Sequence, residues 1–372
     1  MITARLKIPA APTPLRRSQD DLLPEMIAQK AAQALLQELA AWPKPGMVSH
    51  RDAGSHRDMD ASMLQASIGV LQPFFADLAR AGCEQADMDR LRAIGLKAEA
   101  AMLAATGGVN THRGTIFGLG LLCAAAGATA RLGFDATQAT PARLGGFVAR
   151  RWGDAIRKGP IPMFSHGTTA LRHYGVGGAR AEAINGFRSI YDVGLPALRR
   201  GRAVADEDSA LVETCFALIA AVADTNIIHR GGMQGARYAA DAAAGFLAAG
   251  GVGAPHWCER AVRVHIDFID RNLSPGGCAD LLAMTLFVDA LETRALGPPC
   301  PVTRRAAISS FELCDARRRS HFMFRAGHAA SRNVRSPGRL PGHRTNFLGR
   351  GRSTREGSSP IRARSGPGAI RR

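Results

Sequence analysis

The 372-residue chain is 46% hydrophobic and 21% charged, which excludes wholesale disorder and predicts a packed core. Its net charge of +17 is unevenly placed: Pro298–Arg372 holds 17 Arg, no Lys and 3 acids, a net +14, while Met1–Gly297 has 31 basic and 28 acidic residues, a net +3. The longest charge-free run of its kind, Gly114–Ala130, has 17 residues and is broken by glycines, short of the roughly 20 that a spanning helix needs.

The chain opens on MITARLKIPAAPTPLRRSQDD, which lacks the apolar stretch of roughly 7–15 residues of a secretory signal. A flexible segment over 1–23 and a cytoplasmic location are expected. From there apolar residues recur at three- and four-residue spacing, as in Met26, Ile27, Leu35, Leu36 and Leu39. Ala is abundant and two-residue alternation scarce, so the body 24–297 is expected to be one all-α domain. The pattern predicts helices near 24–41, 60–81, 86–105, 115–130, 137–157, 179–192, 207–228, 233–249, 255–271 and 278–294. Pro24 suits a first helical turn, Gly82 and Gly107 suit C-terminal stops, and Asp58 or Asp60 suits an N-cap. The seven cysteines contain no Cys-x-x-Cys and read as buried, reduced thiols. Beyond Gly297, Leu, Ile, Val and Phe supply 12 of 75 residues and Gly, Pro and Ser 24, which predicts a disordered, Arg-rich tail over 298–372.

Between the helices lie five Gly- and His-rich connectors that hold six of the eleven histidines: Lys44–Asp60, Gly107–Gly114, Ser165–Glu182, Asp224–Gly232 and Ser274–Asp280. Loops carried by a rigid scaffold are where function concentrates. In the first, KPGMVSHRDAGSHRDMD, the cations Lys44, Arg51 and Arg57 suit phosphate oxygens, and Asp58 and Asp60 suit a hard ion such as Mg²⁺. The plainer reading is that one of these acids caps a helix and the other complements its dipole. In TGGVNTHRG, Gly107 and Gly108 followed by Asn110, His112 and Arg113 offer backbone N–H groups and a cation at a helix start. The stretch SHGTTALRHYGVGGARAEAINGF brings His166, Arg180 and Glu182. ADTNIIHRGG and SPGGCADLLAMT set Asp224 and Asp280 beside apolar helices, where an unpaired charge is expensive. No phosphate-loop, dinucleotide or zincin motif occurs.

Taken in order, these five segments resemble the triphosphoribosyl-dephospho-CoA synthase family over roughly residues 24–295, most closely the branch serving malonate decarboxylase. Family members often carry Asp where this chain has Ser49. The resemblance implies a transferase that joins ATP to 3′-dephospho-CoA with release of adenine, making the prosthetic-group precursor of the decarboxylase's acyl-carrier subunit. Displacing adenine from the ribose passes through an oxocarbenium-like state, which calls for a carboxylate near the anomeric carbon, a base for the attacking hydroxyl, and cations around the triphosphate. On this basis Lys44, Arg51, His112 and Arg113 are expected to hold phosphates, and Asp58, Asp60 and Asp280, or else Asp224, to hold Mg²⁺. Asp224 or Glu182 is the expected base. Arg180, Asn226, His229 and Arg230 are expected to line a nucleotide pocket, with His56, Gly107, Gly108, Asn110, His166, Gly276 and Gly277 completing the set.

Two other readings use the same residues. A Mg²⁺-dependent hydrolase of an N-glycosidic bond would put water in place of the hydroxyl. A nucleic-acid-binding protein would act through the +14 tail, which offers few aromatic groups for stacking.

Overall fold

Small residues bring two helix backbones together at the centre of the molecule. The computed structural model describes residues 19–131, 143–160 and 172–292. Helix α2 (Ala61–Cys83) lies along α4 (Arg113–Arg131) so closely that a Cβ at Gly82 would fall 1.9 Å from the Ala124 carbonyl oxygen. One at Gly127 would fall 2.0 Å from that of Ala79. Only glycine permits such an approach. On α4, Leu119, Leu122, Cys123, Ala124 and Ala125 are completely buried. This is the one described helix apolar enough to be compared with a membrane span, and it is enclosed by α1 (Gln19–Ala40), α2, α3 (Met88–Ala105), α5 (Leu144–Lys158) and α11 (Gly276–Glu292).

The second half repeats the theme. Helices α7 (Leu195–Val204), α8 (Glu207–Ala221), α9 (Thr225–Ala248) and α11 pack around Phe216, Phe246, Phe268 and Phe287, with α6 (Gly178–Ile184) against α5 and α10 (Trp257–Asp270) against α9. The two halves are tied by Glu292 at the end of α11. Its Oε1 accepts the Tyr191 hydroxyl at 2.9 Å and the Leu144 N–H at 3.1 Å, so an acid supplies the acceptor for an orphan donor at the start of α5. All described elements are helical, as expected.

Several boundaries differ from the periodicity, and the helix expected over 179–192 ends at Ile184, where Gly186 and Phe187 turn the chain at positive φ. Helix α1 begins at Gln19, placing Pro24 one turn inside it, so the last residues assigned to a flexible leader belong to the fold. Leu195–Val204 forms a helix that Pro196 and Gly201 disguise; Pro196 sits in its first turn, where no N–H is needed. The long apolar run after Glu207 breaks at Val222–Asp224, because Asp224 caps a new helix, and that helix is kinked at Gly232 (φ 61°, ψ −164°), a conformation open to glycine alone. The expected helix start at 137–142, His166 and the tail 298–372 lie outside the described residues. Cys83, Cys123, Cys215 and Cys278 are free thiols, in keeping with the expected reduced cysteines, although Cys83 is half-buried.

Candidate active site

The first connector is fastened to the end of α10. A Cβ on Gly46 (φ 66°) would lie 2.0 Å from the Leu273 carbonyl oxygen, and the Ser55 hydroxyl donates to that oxygen at 2.6 Å. Arg230, on α9, closes the junction: it donates to the Ser55 carbonyl at 3.0 Å, to Asn272 Oδ1 at 3.0 Å and to His56 Nδ1 at 3.2 Å. His56 Nε2 lies 2.9 Å from the Ser274 hydroxyl. Burial and the adjacent Arg230 guanidinium lower the His56 pKa, which favours the neutral ring that can accept from arginine. Three segments far apart in sequence thus meet around one arginine.

Beside this junction the N-termini of α9 and α11 converge on one carboxylate. Asp224 is 3% exposed; its Oδ1 accepts the N–H groups of Asn226 (2.7 Å) and Ile227 (3.2 Å), and its Oδ2 that of Cys278 (2.8 Å). Burial raises its pKa against those three bonds. The double glycine makes the approach possible, since a Cβ on Gly277 would lie 2.9 Å from Asp224 Oδ2 and one on Gly276 2.7 Å from Asn226 Nδ2. Asp280, one turn further along α11, reaches the N-terminus of α4. Its Oδ1 accepts the buried Thr115 hydroxyl, and its Oδ2 lies where a Gly114 side chain would begin. Burial, with the charges of Asp224 and Glu38 adding, pushes the Asp280 carboxyl up to about 7.

His56, Arg230, Asn226, Gly276 and Asp280 border one cleft of about 970 Å³, which also has an apolar lining of Leu64, Leu78, Met88, Leu91 and Leu121, while Asp224 and Gly277 lie outside the lining. Its wall brings together His56, Asp58, Gly108, Asn110, His112, Arg113, Arg180, Asn226, Arg230, Gly276 and Asp280. At its edge the α3 C-terminus is closed by Gly107 and Gly108, both at positive φ, with the Gly108 N–H on the Leu103 carbonyl at 2.8 Å. Arg113 pairs with Glu99 (2.5 Å) on the opposite lip, and Arg180 donates to the carbonyls of Pro160 (2.9 Å) and Ile156.

Several expected residues stand elsewhere. His112 is buried, its Nδ1 2.8 Å from the Ser67 hydroxyl, and desolvation lowers its pKa to about 4. It meets the cleft as a neutral ring and brings no cationic charge to a phosphate. Lys44 is 1% exposed behind the wall, its Nζ 2.5 Å from Glu38 Oε1 and 2.5 Å from the Glu38 carbonyl oxygen. Arg51 stacks over Trp42, 4.7 Å from the ring centre. Asp60 is the α2 N-cap, accepting from Met63 N–H (2.9 Å) and the Ser62 hydroxyl (2.7 Å), which matches the plainer reading of this acid. Glu182 is off the cleft wall; its Oε1 accepts the Ser189 hydroxyl at 2.6 Å. His229 and Gly107 also lie outside the lining. Conversely, Glu38 and Thr115 line the cleft without having stood out in the sequence, and Thr111 and Ser274, of the second and fifth connectors, line it too. No described group of three or more His, Cys, Asp or Glu residues forms a metal cage.

Residues 24–297 match the profile of the family described as ATP:dephospho-CoA triphosphoribosyl transferase. The chain is 40% identical over 270 residues to the 2-(5''-triphosphoribosyl)-3'-dephosphocoenzyme-A synthase of Pectobacterium atrosepticum, covering 70% of this chain and 87% of that protein. It is 39% identical over 286 residues to the synthase of the same name from Klebsiella pneumoniae, covering 74% and 93%. For the Escherichia fergusonii synthase the identity is 37% over 274 residues, covering 70% and 89%. No solved structure matches the chain. The match spans the whole helical body and all the elements that build the cleft, and the chain belongs to the ATP:dephospho-CoA triphosphoribosyl transferase family.

Proposed function

We propose that the cleft transfers the triphosphoribosyl group of ATP to the 2′-hydroxyl of 3′-dephospho-CoA, releasing adenine. The observation that carries this reading is the meeting, in one cleft, of the N-termini of α4, α9 and α11 with the cleft-lining Arg113 and Arg230 and the buried-edge carboxyl of Asp280. Helix N-termini and guanidinium groups suit a triphosphate that stays intact. Departure of adenine from the ribose leaves positive charge on the anomeric carbon, which a carboxylate in a water-poor cleft stabilises.

Of the acids expected to act as the base, Asp224 has its carboxylate filled by three backbone donors and Glu182 is off the wall. Asp280 takes that role in our reading: it lines the cleft, is oriented by Thr115, and has a carboxyl poised near neutrality to accept the 2′-hydroxyl proton. Asp224 then fixes the α9–α11 junction on which Asp280 stands. Mg²⁺ fits as an ion that arrives with the triphosphate, since it keeps several waters and needs only one or two protein carboxylates. Asp58, exposed at the cleft wall, would hold it, and the ion would neutralise phosphate charge there. The motif resemblance supports supply of the acyl-carrier subunit of malonate decarboxylase with its prosthetic-group precursor.

The test is adenine release from ATP, followed by chromatography with and without dephospho-CoA. Release that requires dephospho-CoA supports the transferase; equal release without it supports the hydrolase.

A further inference from the structure

Two opposite charges are buried at the cleft, Glu38 in its lining and Lys44 outside that lining. Glu38, in the last turn of α1, has a side chain 8% exposed, and its partner Lys44 is 1% exposed. At a helix C-terminus the dipole favours the lysine and opposes the glutamate. Removing both ions from water costs more than their attraction returns unless geometry is very favourable, and an apolar pair would fill the same volume. The lysine also grips the Glu38 backbone carbonyl, so it holds both ends of the residue it neutralises.

The cleft explains the arrangement. Its lining includes four acids: Asp58 at an exposed edge, Glu99 paired with the half-exposed Arg113, Asp280 on Thr115, and Glu38. Glu38 alone among them has a fully buried counter-cation. Its Oε1 is taken by Lys44, and its Oε2 accepts no hydrogen bond among the described residues. The charge of Glu38 also reaches Asp280, so the two carboxyls share one electrostatic site.

Resting on the transferase reading, we propose that Glu38 is a catalytic residue: its carboxylate, held by buried Lys44, faces the anomeric carbon of the ATP ribose and stabilises the positive charge that develops as adenine departs. The bond from ribose C1′ to adenine N9 breaks with its electron pair leaving on adenine, and C1′ bonds to the 2′-oxygen of dephospho-CoA. The proton of that hydroxyl passes to Asp280 and, over the cycle, to adenine. Glu38 forms no covalent bond; Lys44 is a positioning residue.

The test uses the full chain with ATP, Mg²⁺ and dephospho-CoA, reading adenine release and thermal melting together. Glu38→Gln alone strands the buried lysine, so the deciding variant is Glu38→Gln with Lys44→Met, which removes both charges. The expected result is a folded protein whose kcat falls about 10²- to 10³-fold with KM values little changed. A folded double variant with wild-type kcat would make Glu38 a mere counter-ion and overturn the proposal. If the double variant does not fold, Glu38→Asp keeps the charge pair and withdraws the carboxylate by one methylene. It should melt normally and lose at least about tenfold in kcat; wild-type turnover overturns the proposal equally. Failure of the parent reading is distinct, because wild type itself would then form no triphosphoribosyl product.

Discussion

Replacing Gly114 by Ala tests whether the placement of Asp280 matters to turnover. Gly114 has no left-handed backbone requirement, so alanine is admissible on the chain itself, and as a helical residue it is favoured by about 1 kcal/mol. Its Cβ, however, would lie 2.1 Å from Asp280 Oδ2 and 3.2 Å from Cγ, so the carboxyl must swing away and release Thr115. A lost hydrogen bond to a carboxyl costs about 1.5–3 kcal/mol, which leaves a net loss of about 0.5–2 kcal/mol and a protein that still folds. A catalytic group displaced by about 1 Å costs on the order of 10²-fold in rate. Gly114→Ala should therefore melt a few degrees below wild type and release adenine on the order of 100 times more slowly. Gly69→Ala, on an exposed stretch of α2 with nothing within 4 Å of the new methyl, is the control and should keep full activity. A folded Gly114→Ala protein with wild-type kcat refutes the placement argument.

Asp224→Asn presents an amide to three backbone donors that now point at carboxylate oxygens, so it should destabilise by about 1–3 kcal/mol in denaturant titration. Because the folded Asp280 carboxyl is raised to about 7, kcat should rise with pH through neutrality, and Asp280→Asn should abolish turnover. The same raised pKa means that the folded state binds a proton the unfolded chain has already released. Its contribution to stability is full at acid pH and fades as pH climbs to about 7, and melts of Asp280→Asn across that range should lose this slope. Chelation of Mg²⁺ should stop adenine release, and Asp58→Asn should raise the Mg²⁺ concentration for half-maximal activity. Deleting 298–372, outside the family match, should leave kcat intact.

Helix content was legible because a 3.6-residue apolar period survives in nearly every buried helix, as in Leu211, Phe216 and Ile219. Segments that bear the site were legible for another reason: glycines and histidines are costly in helices and collect where backbones must turn or approach. Asp224, Asn226, Gly276 and Gly277, which meet where α9 and α11 begin, stood out in the sequence this way. What local pattern could not show was which acids share a wall. Thr115 and Asp280 are 165 residues apart, and no spacing relates them. Glu38 carries no motif or spacing that marks it, and only the fold buries it against Lys44. Glu182 carried a strong local context but turns to Ser189, seven residues on and past the end of α6, whose hydroxyl and N–H it accepts.

The central claim is that one cleft moves an intact triphosphoribosyl unit between two nucleotides. ATP labelled in its ribose, incubated with the protein, Mg²⁺ and dephospho-CoA and followed by mass spectrometry, tests it most directly. The account predicts that the label and all three phosphates appear on dephospho-CoA, with adenine free in equal amount. Label found instead in free ribose triphosphate, with dephospho-CoA unchanged, would contradict it.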